Sequence, residues 1–257
     1  MEQIYFDHSA TTPLDPRVVE AMLPSYSVNF GNPSSLHWAG QQAKQAIVEG
    51  RRQVADLFHA GADEIIFTAS GTEADNMALM GVAMRYQPKD CHIITSSFEH
   101  PAILETCKYL DKLGYSISYL PVTSEGIVEP QALRQALRPN TRLVSVMTAN
   151  NVVGTLQPIG ELARITKEHG ALFHTDAVQA VGKIPLHVDA LPVDFISMSA
   201  HKLHGPKGIG ALYIRRGTVI EPLVHGGGQE RNLRSATENV AGIVGFGKAA
   251  SIASAEM

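Results

Sequence analysis

The chain has 257 residues, 44% hydrophobic and 18% charged, with a net charge of −4. That is enough to bury a substantial core, as one large domain or as one domain plus a small appendage. The scattered charges form no basic stripe, which argues against a nucleic-acid partner, and no apolar run is long enough to span a bilayer. The start, "MEQIYFDHSATTP", has neither the basic nor the apolar region of a secretory signal. The two cysteines, Cys91 and Cys107, make no disulfide framework, so a reduced, cytoplasmic protein is expected.

In chain order, "LHWAGQQAKQAIVEGRRQVADLF" (Leu36 to Phe58) spaces its apolar residues as a long amphipathic helix, weakened at Gly50. "EIIFTAS" reads as a strand and "TEADNMALMGVAM" as the helix after it. "CHIITSS" is a strand, followed by a helix from Pro101, a good first-turn residue. "YSISYL" is a strand, "PQALRQAL" a helix and "RLVSVMTA" a strand. "IGELARITKEHG" is a helix that stops at Gly170, and "ALFHTDA", "DFISMSA" and "GALYIRR" are three more strands. Such alternation predicts an α/β protein, a mostly parallel sheet covered by helices on both faces.

Sheets of this kind bind ligands outside the carboxyl ends of their strands. The residues after Phe67 are "SGTEADN", after Ile94 "SSFEHPA", after Met147 "TANNVVG", after Phe173 "TDAVQA" and after Ile196 "SMSAHKLHGPKG". Each stretch puts polar or ionisable groups on one rim, and the opposite ends of the strands carry no comparable cluster.

Gly71 and Thr72 open a helix and offer an anion site through backbone N–H groups and a hydroxyl. Thr72-x-x-Asp75 also reads as a plain capping box. Asp176 ends an apolar strand, where a carboxylate is either exposed or held by a partner such as a protonated heterocycle. Lys202 follows a strand, and a lysine on a partly dry rim loses its proton more easily and becomes nucleophilic. Ser199 and His201 beside it suit a phosphate. His100 offers a ring to stack on a flat cofactor. His174, His201 and His204 invite a metal, yet His201 and His204 have no acid or cysteine at ligand spacing, so no metal is expected. Lysine, aspartate, anion site and stacking ring together describe a site for pyridoxal 5′-phosphate.

The motifs "YFDHSATTPLDPRV", "SGTEADN", "FEHPAIL", "NNVVGTLQPI", "HTDAVQAVGK", "SAHKLHGPKGIGALY" and "HGGGQERNLRSATENV" occur in that order along the chain. With them the chain resembles the cysteine desulfurases of the class V aminotransferase group. "GPKGIGALY" and "RSATENV" are most similar to the subgroup serving iron–sulfur cluster assembly or nitrogenase maturation. The resemblance implies a fold type I transferase dependent on pyridoxal phosphate, with its small carboxyl-terminal domain largely absent. It implies an edge segment at 1–15, a large cofactor-binding domain at 16–238, and at 239–257 the start of a helix leading to the small domain.

By the same resemblance, Lys202 is the Schiff-base lysine that also moves the substrate Cα proton, and Asp176 is the pyridinium partner. His100 stacks on the ring and serves as acid/base. Asn151 and Gln179 contact the phenolic oxygen side of the cofactor. Gly71, Thr72, Ser199 and His201 hold the phosphate, and Thr237 reaches the phosphate of the other subunit of a homodimer. The implied reaction converts L-cysteine to L-alanine and leaves the sulfur as an enzyme persulfide, for delivery to an acceptor or scaffold protein of iron–sulfur assembly.

The family's nucleophilic cysteine, and the arginine that grips the substrate carboxylate, lie beyond Thr237 in a part that this sequence does not contain. Cys91 and Cys107 read as small buried hydrophobes. His8, Ser9, Val152, Ala200 and Ala236 depart from the family's usual residues at the edge of the site. The same motifs fit another class V enzyme, such as a selenocysteine lyase or an aminotransferase, and a non-catalytic chain that binds pyridoxal phosphate.

Overall fold

A computed structural model describes residues 4–257; the first three residues of the expected 1–15 segment lie outside the described residues. The chain enters along a strap, residues 4–15, into two short helices, α1 (Pro16–Met22) and α2 (Pro24–Ser27). Asp15 caps α1, its carboxylate accepting the Arg17 amide at 2.8 Å. The sequence reading did not include these helices, since seven and four residues are too few to display a helical period.

From there the alternation expected from the sequence is met element by element. Helix α3 (Trp38–Asp56) leads to β1 (Ile65–Thr68) and α4 (Gly71–Ala83). Next come β2 (His92–Ser96), α5 (Pro101–Lys112), β3 (Ser116–Leu120), α6 (Pro130–Ala136) and β4 (Thr141–Ser145). The remainder is α7 (Ile159–His169), β5 (Leu172–Asp176), β6 (Phe195–Ser199), β7 (Gly210–Ile214) and α8 (Val240–Glu256). Gly170 ends α7 in a left-handed conformation (φ 87°), which a residue without Cβ adopts at little cost. Strand β4 stops four residues short of the expected run. The chain beyond it still pairs with β5, Val146 N donating to His174 O at 3.1 Å and Thr148 N to Asp176 O at 2.8 Å.

The seven strands form one sheet in the order β1-β7-β6-β5-β4-β2-β3. Neighbours from β6 through β3 are parallel, whereas β7 is antiparallel to both β6 and β1. Strand β1 therefore points the same way as β2–β6, and six carboxyl ends share one rim. Strand β7 starts on that rim and passes behind the turn that opens α4. A Cβ on Gly210 would lie 2.5 Å from the Ser70 carbonyl carbon, so only glycine permits this approach.

Two apolar layers cover the sheet. On one face Met77, Leu79 and Val82 of α4 and Ile103, Cys107 and Leu110 of α5 pack against Ile66, Ile93, Leu143 and Leu212. On the other, Ile47 and Val54 of α3, Leu162 of α7 and Phe246 of α8 pack against Phe67, Ile94, Val144 and Phe173. Helix α8 is part of this second layer, with the rings of Phe246 and Phe67 6.3 Å apart. Among the described residues no helix is long and apolar enough to cross a membrane.

The glycine-rich stretch before α8 is pinned rather than loose. Glu230 accepts the Phe67 amide at 2.8 Å and Arg51 Nη1 at 2.7 Å, and Arg234 Nε donates to Glu73 at 2.7 Å. Glu230, Arg231 and Asn232 take positive φ in succession (45°, 59°, 65°), a strained run that these anchors hold.

Candidate functional site

The rim opens into a cavity of about 380 Å³. Its first wall is the N-terminus of α4. Ser70 is extended and caps the helix, its hydroxyl accepting the Glu73 amide at 3.1 Å while its carbonyl accepts the Ala74 amide. The first two amides, those of Gly71 and Thr72, have no partner within a helix and lie at the cavity. A Cβ on Gly71 would meet Val178 Cγ2 at 2.7 Å, so this turn needs glycine to fit against the loop after β5. Ser199 and His201 come to the same wall from the end of β6. His201 Nδ1 lies 3.1 Å from Thr11 Oγ1, and burial together with Lys202 and Lys207 lowers its proton affinity.

Asp176, at the last position of β5, is buried. Its Oδ1 accepts the Val178 amide at 2.9 Å. Burial raises its pKa, and the Val178 amide and the charge of Lys202 oppose the rise. Lys202 lies in the single 3₁₀ turn after β6, Ala200–Lys202. Burial lowers its pKa, against the pull of Asp176 and Asp7. Its Nζ donates to the carbonyl of Ser9 and, at 2.8 Å, to that of Ala10. The strap that supplies these carbonyls is tied down beside it, with Thr12 N donating to His201 O at 3.0 Å and Thr12 Oγ1 at 2.9 Å. Gln179 Nε2 also donates to Ser9 O, at 2.7 Å.

His100 is the N-cap of α5, and its Nδ1 accepts the Ala102 amide at 3.1 Å. That bond leaves Nε2 as the hydrogen-bearing nitrogen of the neutral ring. The turn carrying His100 is fixed by Glu99, a buried carboxyl that accepts the Ser96 hydroxyl at 2.6 Å and the Met147 amide at 3.0 Å. Burial pushes Glu99 up to about 8. Asn151 completes the mouth.

The cavity thus brings together nine of the ten residues expected from the sequence: Gly71, Thr72, His100, Asn151, Asp176, Gln179, Ser199, His201 and Lys202. Thr237 is not among them and stands exposed beside Ala236. Three groups escaped the sequence reading of the site. Glu99 and Asp75 are buried acids beneath it, and His174, considered only as a metal ligand, is a buried ring held by Ser145 Oγ at 2.8 Å and Ser197 Oγ at 2.9 Å. His174 was signalled as a histidine within an apolar strand, whereas the two acids stood among other polar residues, and neither pattern says what the side chain meets across the sheet. Among the described residues no group of three or more His, Cys, Asp and Glu is placed to hold a metal ion.

Cys91 and Cys107 are fully buried, and burial pushes their thiols up to about 11 and about 12. Both are held as inert thiols.

An open, mostly parallel sheet with a half-buried lysine, a buried aspartate and a helix N-terminus on its carboxyl rim defines an α/β protein with a polar ligand-sized cavity at the place where such sheets bind ligands. The family model described as Aminotransferase class-V matches residues 4–257, and the chain belongs to that family. A cysteine desulfurase IscS of Dictyoglomus turgidum is 56% identical over 255 residues, covering 99% of this chain and 65% of that relative. A cysteine desulfurase IscS of Methanosarcina thermophila is 53% identical, covering 99% of this chain and 63% of its own length. Among solved structures, a NifS-like protein superposes with a TM-score of 0.97 at 47% identity, covering 99% of this chain and 70% of that one. A structure titled SspA in complex with cysteine gives 0.94 at 41% identity, covering 96% and 72%. The chain spans about 65% of the length of the curated relatives it matches.

Proposed function

We propose that this chain is the cofactor-binding part of a pyridoxal 5′-phosphate-dependent cysteine desulfurase. The reaction converts L-cysteine to L-alanine and leaves the sulfur as a persulfide on an enzyme cysteine, for delivery to an iron–sulfur assembly partner. The observation that carries the reading is the meeting of Lys202, Asp176 and the α4 N-terminus in one cavity. The relatives named as cysteine desulfurases, and the solved relative in complex with cysteine, support this choice of chemistry.

The donor set suits the cofactor. The Gly71 and Thr72 amides with Ser199 and His201 would take the phosphate, the anion that a helix N-terminus favours. Asp176 would face the ring nitrogen with its Oδ2 and hold a proton there through a charge-assisted hydrogen bond. His100 would cover the ring face, and Asn151 and Gln179 would hold the phenolic oxygen. When bound, pyridoxal phosphate supplies an electron sink for the pair left at the substrate Cα.

The remaining work belongs to the side chains. Lys202 would hold the cofactor through Nζ and would move the substrate Cα proton, a task that its lowered proton affinity favours. The Ser9 and Ala10 carbonyls hold Nζ over the cavity until it is engaged. His100 Nε2 would deliver or remove a proton at the cavity. The buried thiols of Cys91 and Cys107 take no part, so the acceptor cysteine belongs to the stretch of the longer relatives that this chain does not span. Residues 16–238 act as the cofactor domain, with 1–15 at its edge and 239–257 leading to a small domain. The working protein is a cytoplasmic homodimer in which the exposed Thr237 reaches the partner's cofactor.

Borohydride reduction of the protein with pyridoxal phosphate, followed by peptide mapping, should find a pyridoxyl group on Lys202. A label on another lysine, or none, would overturn the reading.

A further inference from the structure

The floor of the cavity carries more acid than this chemistry needs. Asp176 alone suffices opposite a protonated ring nitrogen, yet Asp75 lines the same cavity from α4 and is 1% exposed. Its Oδ1 has no hydrogen-bond partner in the protein. The nearest cationic candidate is His174, whose Nε2 is 3.6 Å from that oxygen. Both nitrogens of His174 are already engaged, Nε2 with Ser197 and Nδ1 with Ser145, and two serine hydroxyls satisfy a neutral ring. Burial holds His174 at about 3, so it brings no positive charge.

The other groups facing Asp75 add to its isolation. Asp176 from β5 repels a negative charge, Glu99 from the turn after β2 adds to this only where it is itself ionised, and β6 offers only the Ser197 hydroxyl in compensation. Lys202 and His100 act on Asp176. Two like charges beside one another in a dry site cannot both persist, and one of the pair retains its proton.

We propose that Asp75 is carried as a neutral carboxylic acid and positions Asp176. It places a proton-bearing polar group behind the cavity, and Asp176 is thereby the member of the pair that keeps its charge for the cofactor's ring nitrogen. The positioning role rests on the cofactor reading above; the protonation state of Asp75 does not.

Asp75→Asn preserves a neutral polar group of the same shape, whereas Asp75→Ala removes it. Without cofactor, thermal melting of wild type and Asp75→Asn should diverge as pH rises from 5 to 9. The native wild type must keep a proton that its unfolded chain sheds near pH 4, so its stability falls with pH relative to the variant. At pH 8, Asp75→Asn should bind pyridoxal phosphate within about threefold of wild type, while Asp75→Ala, which removes the polar group beside Asp176, should bind about tenfold or more weakly. A melting difference constant from pH 5 to 9 overturns the neutral acid. Equal weakening of cofactor binding by the two variants overturns the positioning role. A wild-type protein that binds no pyridoxal phosphate overturns the cofactor reading, and the melting comparison still decides the state of Asp75.

Discussion

His174 and Asp176 lie two residues apart on β5, and their burial is solved in opposite ways. The histidine is neutral between two serines, while the aspartate holds the Val178 amide with one oxygen and lines the cavity with Lys202. Asp176→Ala should therefore weaken pyridoxal phosphate binding by about tenfold or more, the loss expected for a charge-assisted bond of about 1.5–3 kcal/mol. Equilibrium titration followed by cofactor absorbance checks this, and unchanged affinity would count against the role. For His174 the sign of the pH effect is fixed by its depressed pKa. Below about pH 6.5 the unfolded chain binds a proton that the native ring refuses until about pH 3, so wild-type stability drains away as pH falls. His174→Gln should cost about 1–3 kcal/mol near pH 7 through its lost hydrogen bonds. Urea melts should show that difference shrinking toward pH 4, where the wild type bears the cost of its buried ring. These two roles differed in legibility. Asp176 announced itself by ending an apolar strand on the rim, whereas His174 needed Ser145 and Ser197 from the strands on either side, pairings that no local pattern contains.

At the scale of elements, most helices and strands were legible because alternation and punctuation agreed with burial. The antiparallel entry of β7 was not, because it depends on Gly210 passing within contact of Ser70. Gly50 shows a second limit. In sequence it weakens α3, yet the fold uses it as the point where α3 and α8 cross. A Cβ there would lie 2.8 Å from the Ile243 carbonyl oxygen, and a Cβ on the facing Gly247 would lie 2.6 Å from Gly50 Cα. Helix propensity favours Gly50→Ala by about 1 kcal/mol. Overpacking against backbone costs about 1–3 kcal/mol, and a carbonyl held within α8 gives way less readily than a side-chain tip. The net expectation is destabilisation, read as a lower melting temperature; a higher one would show that the helices separate freely. Gly71→Ala tests the other close approach. Its Cβ would press on Val178 and narrow the wall proposed for the phosphate, so cofactor affinity should fall more than the melting temperature does.

The whole molecule gathers the groups proposed for cofactor binding in one cavity and keeps both of its thiols buried away from it. The rim was legible because six carboxyl ends converge on it. The buried acids beneath were not, because their meaning lies in distances across α4, β2 and β5. In the proposed reaction, cofactor binding and removal of the Cα proton call only on groups that line the cavity, namely Lys202, Asp176, His100 and the α4 amides. Breaking the carbon–sulfur bond in the proposed way calls in addition on a thiolate that reaches the substrate sulfur, and a nucleophile needs both a low pKa and mobility. Cys107 is fixed in the middle of α5 and Cys91 leads into β2; both are fully buried, with thiols pushed up to about 12 and about 11. Neither can travel to the rim without unfolding a central element. Residues 1–257 with pyridoxal phosphate, L-cysteine and added dithiothreitol should thus show a cysteine-dependent change in cofactor absorbance without repeated release of sulfide. Native Cys91 and Cys107 should react with a thiol reagent only as fast as the chain opens. If the chain instead releases sulfide and alanine through many turnovers, and Cys91→Ser or Cys107→Ser abolishes that release, then a buried thiol is the nucleophile and the acceptor does not come from the stretch that the longer relatives add.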